Sequence, residues 1–142
     1  MSDDFGACAC MNLRRSARLI AQFFDQRLQP GGLRNTQFTL LVTLRHEGPI
    51  AITQLADLLG LDRTTLTRNI RLLQKEGLVS EQPGQDARVR MLSLTEKGET
   101  AISNAAPHWK KAQAEFLNKF GKERWKHLRT ELSEINLALT DT

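Results

Sequence analysis

Cysteine is scarce in this chain, histidine nearly so, and tyrosine is missing altogether: 142 residues hold 2, 3 and 0 of them. Two cysteines standing two residues apart cannot build a disulfide framework, and a reducing compartment suits them. No apolar run approaches the roughly 20 residues that span a bilayer; the longest, around Phe38–Leu44, is far shorter, so no membrane partner is expected. Met1-Ser2-Asp3-Asp4-Phe5 lacks the basic and then apolar order of a secretory signal, and a cytoplasmic location is expected. There is no Gly-x-x-x-x-Gly-Lys, no Gly-x-Gly-x-x-Gly and no His-x-x-x-His. His46, His108 and His127 stand alone, without the spacing of metal ligands or of an acid–base pair. An enzyme, a structural zinc site and a cofactor are therefore not expected.

What remains is ordinary globular composition, 40% hydrophobic and 25% charged. The net charge of +4 and a pI near 9.4 permit an anionic partner without demanding one. Basic residues are spread along the chain with no basic tail. Any nucleic-acid surface must come from the side of a helix on which they fall.

Residues 1–9, small and polar, are expected to fray. Leu13, Ala17, Ile20, Phe24 and Leu28 recur at helical spacing and predict one amphipathic helix from about Cys10 to Gln29, stopped by Pro30-Gly31-Gly32. A shorter helix follows from Gln37 to about His46. Next come two helices joined by a tight turn. The first, about Thr53 to Leu59, is expected to bury Leu55, Leu58 and Leu59, with Gly60 as a left-handed C-cap. The second runs from Arg63 to about Glu76, with Asp62 as its N-cap. Two extended segments around Pro83-Gly84 read as a β-hairpin. The remainder predicts helices from about Glu96 to Phe120, interrupted or kinked at Pro107, and from about Lys122 to Leu139. The fold class is mainly α with a small β-hairpin wing.

Helix, short turn, helix and hairpin is the order of a winged helix-turn-helix. In the second helix Leu66, Ile70 and Leu73 form a buried stripe. Thr64, Thr67, Arg68, Arg71 and Lys75 face the other way, with Arg63 and Thr65 at the N-terminal rim. Short hydroxyls allow close approach in a major groove, and arginine pairs bidentately with guanine. Arg88 and Arg90, two residues apart, would share one face of a strand, with Asp86 near enough to orient Arg88 or to end the turn as an Asx cap. A basic side chain on a projecting wing can enter a minor groove.

These residues resemble the MarR family of bacterial transcription regulators. The match rests on Ile52-Thr53-Gln54-Leu55-Ala56, on Leu61 to Arg68, and on Leu72 to Val79. Its most specific part is Asp86-Ala87-Arg88 followed by Leu94-Thr95-Glu96-Lys97-Gly98, like the family's Asp-x-Arg and Leu-Thr-x-x-Gly. The resemblance implies that the Arg63–Lys75 face reads the major groove and that Arg88, held by Asp86, enters the minor groove. It further implies a homodimer on a pseudo-palindromic site of double-stranded DNA, formed by an N-terminal helix (1–34) and C-terminal helices (99–142) around a DNA-binding region (35–98). Independently, Trp125, Leu128, Leu132, Ile135, Leu139 and the Leu13–Leu28 stripe need somewhere to bury, which self-association offers.

Cys8 and Cys10 sit where the first helix begins, near Arg14 and Arg15, a setting that favours thiolates and hence a thiol sensor or a soft-metal or metalloid chelate. In hydroperoxide-sensing relatives tyrosines support the thiol, and here there are none. The resemblance also suggests a small aromatic or phenolic effector, for which Phe23, Phe38, His108 and Trp109 are the candidate liners. Occupation of a promoter by such a dimer implies repression. The reading from another class is a winged-helix protein-interaction module that does not read DNA.

Overall fold

Helical periodicity accounts for most of the architecture. The structure is a computed structural model that describes residues 4–140; sequence readings that touch residues 1–3, 141 and 142 lie outside the described residues at those positions. After a single 3-10 turn at Phe5–Ala7, helix α1 (Ala9–Leu28) begins. At that turn the Asn12 side-chain amide donates to the Gly6 and Cys8 carbonyls, each at 2.8 Å. A 3-10 turn at Gln29–Gly31 and Gly32, in the left-handed region at φ 85°, then reverse the chain. Helix α2 (Asn35–Glu47) starts where the Arg34 amide donates to the Gln37 side chain, and it buries Phe38, Leu40, Leu41 and Leu44. These lie at the centre of the core.

A two-residue strand β1 (Ile50–Ala51) leads into α3 (Ile52–Leu59). Gly60 adopts the left-handed cap at φ 65°. In α3 the buried face is Leu55 and Ala56, whereas Leu58 is 55% exposed. Leu58 falls about 60° of helix rotation from Leu55, off the face that Ala56 and Leu59 continue. Helix α4 (Arg63–Lys75) packs on α3 through Leu66, Ile70 and Leu73. Strands β2 (Val79–Pro83) and β3 (Arg90–Leu94) form the wing, antiparallel with Val79 opposite Leu94 and Pro83 opposite Arg90. β1 joins β3's free edge, Ile50 opposite Leu92, giving a three-stranded sheet in the order β1-β3-β2.

Helix α5 (Glu96–Phe120) passes through Pro107 without interruption. The proline removes one amide from the ladder, but Pro107 and Ser103, whose carbonyl that amide would have met, both face solvent. Gly121, at φ 108°, turns the chain into α6 (Lys122–Thr140). Helix α5 packs against both α1 and α2, and the Arg27 guanidinium clasps Glu115 with two bonds of 2.6 and 2.8 Å. Among the described residues no polar or charged side chain is buried, and no helix is long and apolar enough to cross a membrane.

Candidate nucleic-acid interface

The site is built outward from the α4 cap. Asp62 accepts the Thr65 amide at 2.7 Å and the Thr65 hydroxyl at 2.9 Å. These bonds, the first-turn amide of Thr64 and nearby Arg68 hold the Asp62 carboxyl below the ordinary carboxylate range. Thr65, placed by its position at the reading rim, therefore turns its hydroxyl proton back to the cap. Thr64, Thr67, Arg68 and Arg71 stay on the outward face, where with Arg63 and Leu72 they line a shallow depression. Lys75 is exposed at the far end of the helix, outside that depression.

Between α4 and the wing lies a groove of about 320 Å³. Arg63, Thr67, Arg71 and Gln74 line it from the helix, and Arg88 and Arg90 from the wing. The helix and hairpin arginines thus converge on one surface, but not through strand alternation. Arg88 sits in the turn, and only Arg90 belongs to β3. Arg88 and Arg90 therefore do not share a strand face as their spacing suggested, yet both line the groove beside α4.

Asp86 orients Arg88 in both of the ways its position allowed. Its carboxylate accepts the Arg88 backbone amide at 3.0 Å, an Asx-type closure, and takes Nε and Nη2 of the same residue at 3.2 and 3.1 Å. The forked bond lowers the Asp86 pKa and fixes a side chain that is 90% exposed. Arg88 is thus an exposed cation that its neighbour Asp86 orients.

Arg90 is held differently. Its Nε donates to Glu81 at 3.0 Å, and the other Glu81 oxygen accepts the Gln74 side-chain amide at 2.8 Å. These two donors lower the Glu81 pKa, with the charges of Arg90 and Arg71 adding to the effect. Glu81 is not among the site residues expected from the sequence. The signal was strand alternation: Val79 is buried, so Glu81, two residues on, points to the same side, toward α4.

The remaining candidates lie elsewhere. Cys8 is the half-buried N-cap of α1 and Cys10 is exposed in its first turn, both as free thiols. Phe38 is buried with its ring stacked on Trp109 at 6.1 Å. The Arg27 guanidinium covers the Phe23 ring at 3.4 Å. Half-buried His108 lies against Gly31, where an added Cβ would come within 2.9 Å of its ring. An aromatic ligand entering between Phe38 and Trp109 would have to part their stack. Among the described residues no three His, Cys, Asp or Glu side chains converge to hold a metal ion.

Residues 33–89 match the sequence profile of the MarR family. The chain is 32% identical over 119 residues to the uncharacterized HTH-type transcriptional regulator YwoH of Bacillus subtilis (strain 168), covering 82% of this chain and 87% of that one. It resembles the crystal structure of the M. tuberculosis transcriptional regulator MosR in complex with DNA at a TM-score of 0.84 and 37% identity, over 94% of this chain and 97% of that one. A mutant MarR from E. coli complexed with operator DNA shares the fold at a TM-score of 0.83, with 20% identity over 94% and 99% of the two chains. With the wing geometry and these similarities in agreement, the chain belongs to the MarR family of winged-helix transcriptional regulators.

Proposed function

We propose that this regulator binds double-stranded DNA in a sequence-specific manner as a homodimer on a pseudo-palindromic operator, and represses by occupying it. One observation carries the reading: Arg63, Arg71 and pre-oriented Arg88 meet beside Thr67 in a single groove between a helix and a projecting turn. In this reading α4 enters the major groove, where Thr64, Thr67, Arg68 and Arg71 meet base edges and phosphates. Arg88 enters the neighbouring minor groove. A protein-interaction module would not need arginines gathered on that one surface. The solved MosR complex, with DNA bound to a chain 37% identical to this one, supports the same reading.

Dimerisation has its own support. Every residue of α1 from Ala9 to Ile20 is exposed, including Leu13 and Ile20 of the apolar stripe. In α6 Leu128 and Ile135 are each 38% exposed. Both ends of the chain thus present apolar faces that their own protomer leaves uncovered, and a second copy would bury them. Residues 1–34 and 99–142 would supply the dimer, and 35–98 the reading head. Oxidation of Cys8 and Cys10, at the start of α1, would act on this dimer element and change the spacing of the two heads. Replacing both with Ser should abolish any oxidant response, and an unaltered response would remove them from that role.

A salt titration of DNA binding separates the two classes of function. A regulator contacting several phosphates should lose affinity steeply and log-linearly as salt rises. A module that does not read DNA should show no binding to lose.

A further inference from the structure

Glu81 is an anomaly in the groove. Four arginines line it, Arg63, Arg71, Arg88 and Arg90, and Glu81 is the one carboxylate among the lining residues. A negative charge facing the DNA backbone repels it, so the placement invites a physical account. Glu81 belongs to β2, its two partners to α4 (Gln74) and β3 (Arg90). Each carboxylate oxygen has one donor, and the side chain is 32% exposed. One residue thus ties the recognition helix to both strands of the wing.

The two wing arginines are paired with opposite consequences. Arg88 is gripped by Asp86 from its own turn, two residues away, and projects with 90% of its side chain exposed. Arg90 is drawn back along the sheet toward Glu81 and is 49% exposed. The register explains the reach: Glu81 lies opposite Leu92, so Arg90 is its diagonal neighbour on the same face. Asp86 presents a cation, whereas Glu81 withholds one.

Free arginines beside a phosphate backbone strengthen binding to any sequence, because counterion release carries no base information. Discrimination between sites improves when such contacts are limited and the reading elements hold a fixed relation to each other. We propose that Glu81 is a specificity-determining positioning residue, which locks the wing to the recognition helix through Gln74 and keeps Arg90 from indiscriminate phosphate contact. This inference rests on the DNA-reading function proposed above.

The test compares the full-length wild-type protein with E81Q and with E81Q/R90Q. Two duplexes of equal length serve as probes, one drawn from sequences that the wild-type protein enriches from random DNA, the other unrelated. E81Q should bind the unrelated duplex roughly three- to tenfold more tightly at low salt, with the slope of log affinity against log salt steeper by about one per protomer. The preference for the enriched duplex should fall by a similar factor. E81Q/R90Q should return to the wild-type slope, since the released cation is gone. An E81Q protein with unchanged preference, whatever its slope, or one weakened equally on both duplexes, would overturn the assignment. A double variant as steep as E81Q would overturn the part given to Arg90. A wild-type protein that enriches no sequence and binds neither duplex would sink the DNA-reading function itself, and this inference with it.

Discussion

Asp62 caps α4 with both carboxylate oxygens, and the same bonds decide how Thr65 is used. Because the folded pKa is lowered, the cap's contribution is complete above the ordinary carboxylate range and is lost as pH falls through the folded value. Asp62→Ala should lower the melting temperature at neutral pH, and the gap to wild type should close in acid; a pH-independent gap would contradict the capping role. Arg88→Ala should weaken DNA binding without changing the melting temperature, because the side chain is 90% exposed and its hydrogen bonds go to Asp86 in its own turn. Unchanged affinity would count against the wing assignment. The Asp62 cap and the Arg88 partner were legible in the sequence because both act over two or three residues. Glu81 was not, because its partners lie seven and nine residues away and meet it only once the hairpin register is set.

At the scale of elements, the exit from the wing into α5 depends on a close approach. A Cβ added at Gly98 would collide with the Leu78 carbonyl oxygen and lie 2.5 Å from a Leu94 methyl. Thr95 caps α5 by accepting the Gly98 amide at 3.0 Å and donates its hydroxyl to the Gly77 carbonyl at 2.6 Å. The Leu-Thr-x-x-Gly pattern is thus the joint that seats the sheet on the long helix. Gly98→Ala should cost about 1–3 kcal/mol in denaturant unfolding, as overpacking does; a stability equal to wild type would contradict this account of the joint. Long stripes such as Leu66, Ile70 and Leu73 announced their helices plainly. Strand β1 did not, since two residues carry no periodicity, and Leu58 misled because a leucine in a short helix is apolar on whichever face it falls.

For the whole molecule, α1 and α6 expose apolar residues, Leu13 and Ile20 on one and Leu128 and Ile135 on the other, that the proposed dimer would cover. Ile135→Asp should shift the protein toward monomer in analytical ultracentrifugation and lower operator affinity, with the winged region still folded. A variant that remained wholly dimeric would place the interface elsewhere. The proposed dimer would also suit the proposed operator, since two recognition helices would enter successive major grooves when held roughly 34 Å apart.

Selection of bound sequences from random duplex DNA tests this arrangement most directly. The account predicts enrichment of an inverted repeat whose half-site centres lie about 10 base pairs apart. Recovery of no preferred sequence, or of a solitary half-site without its mate, would contradict it.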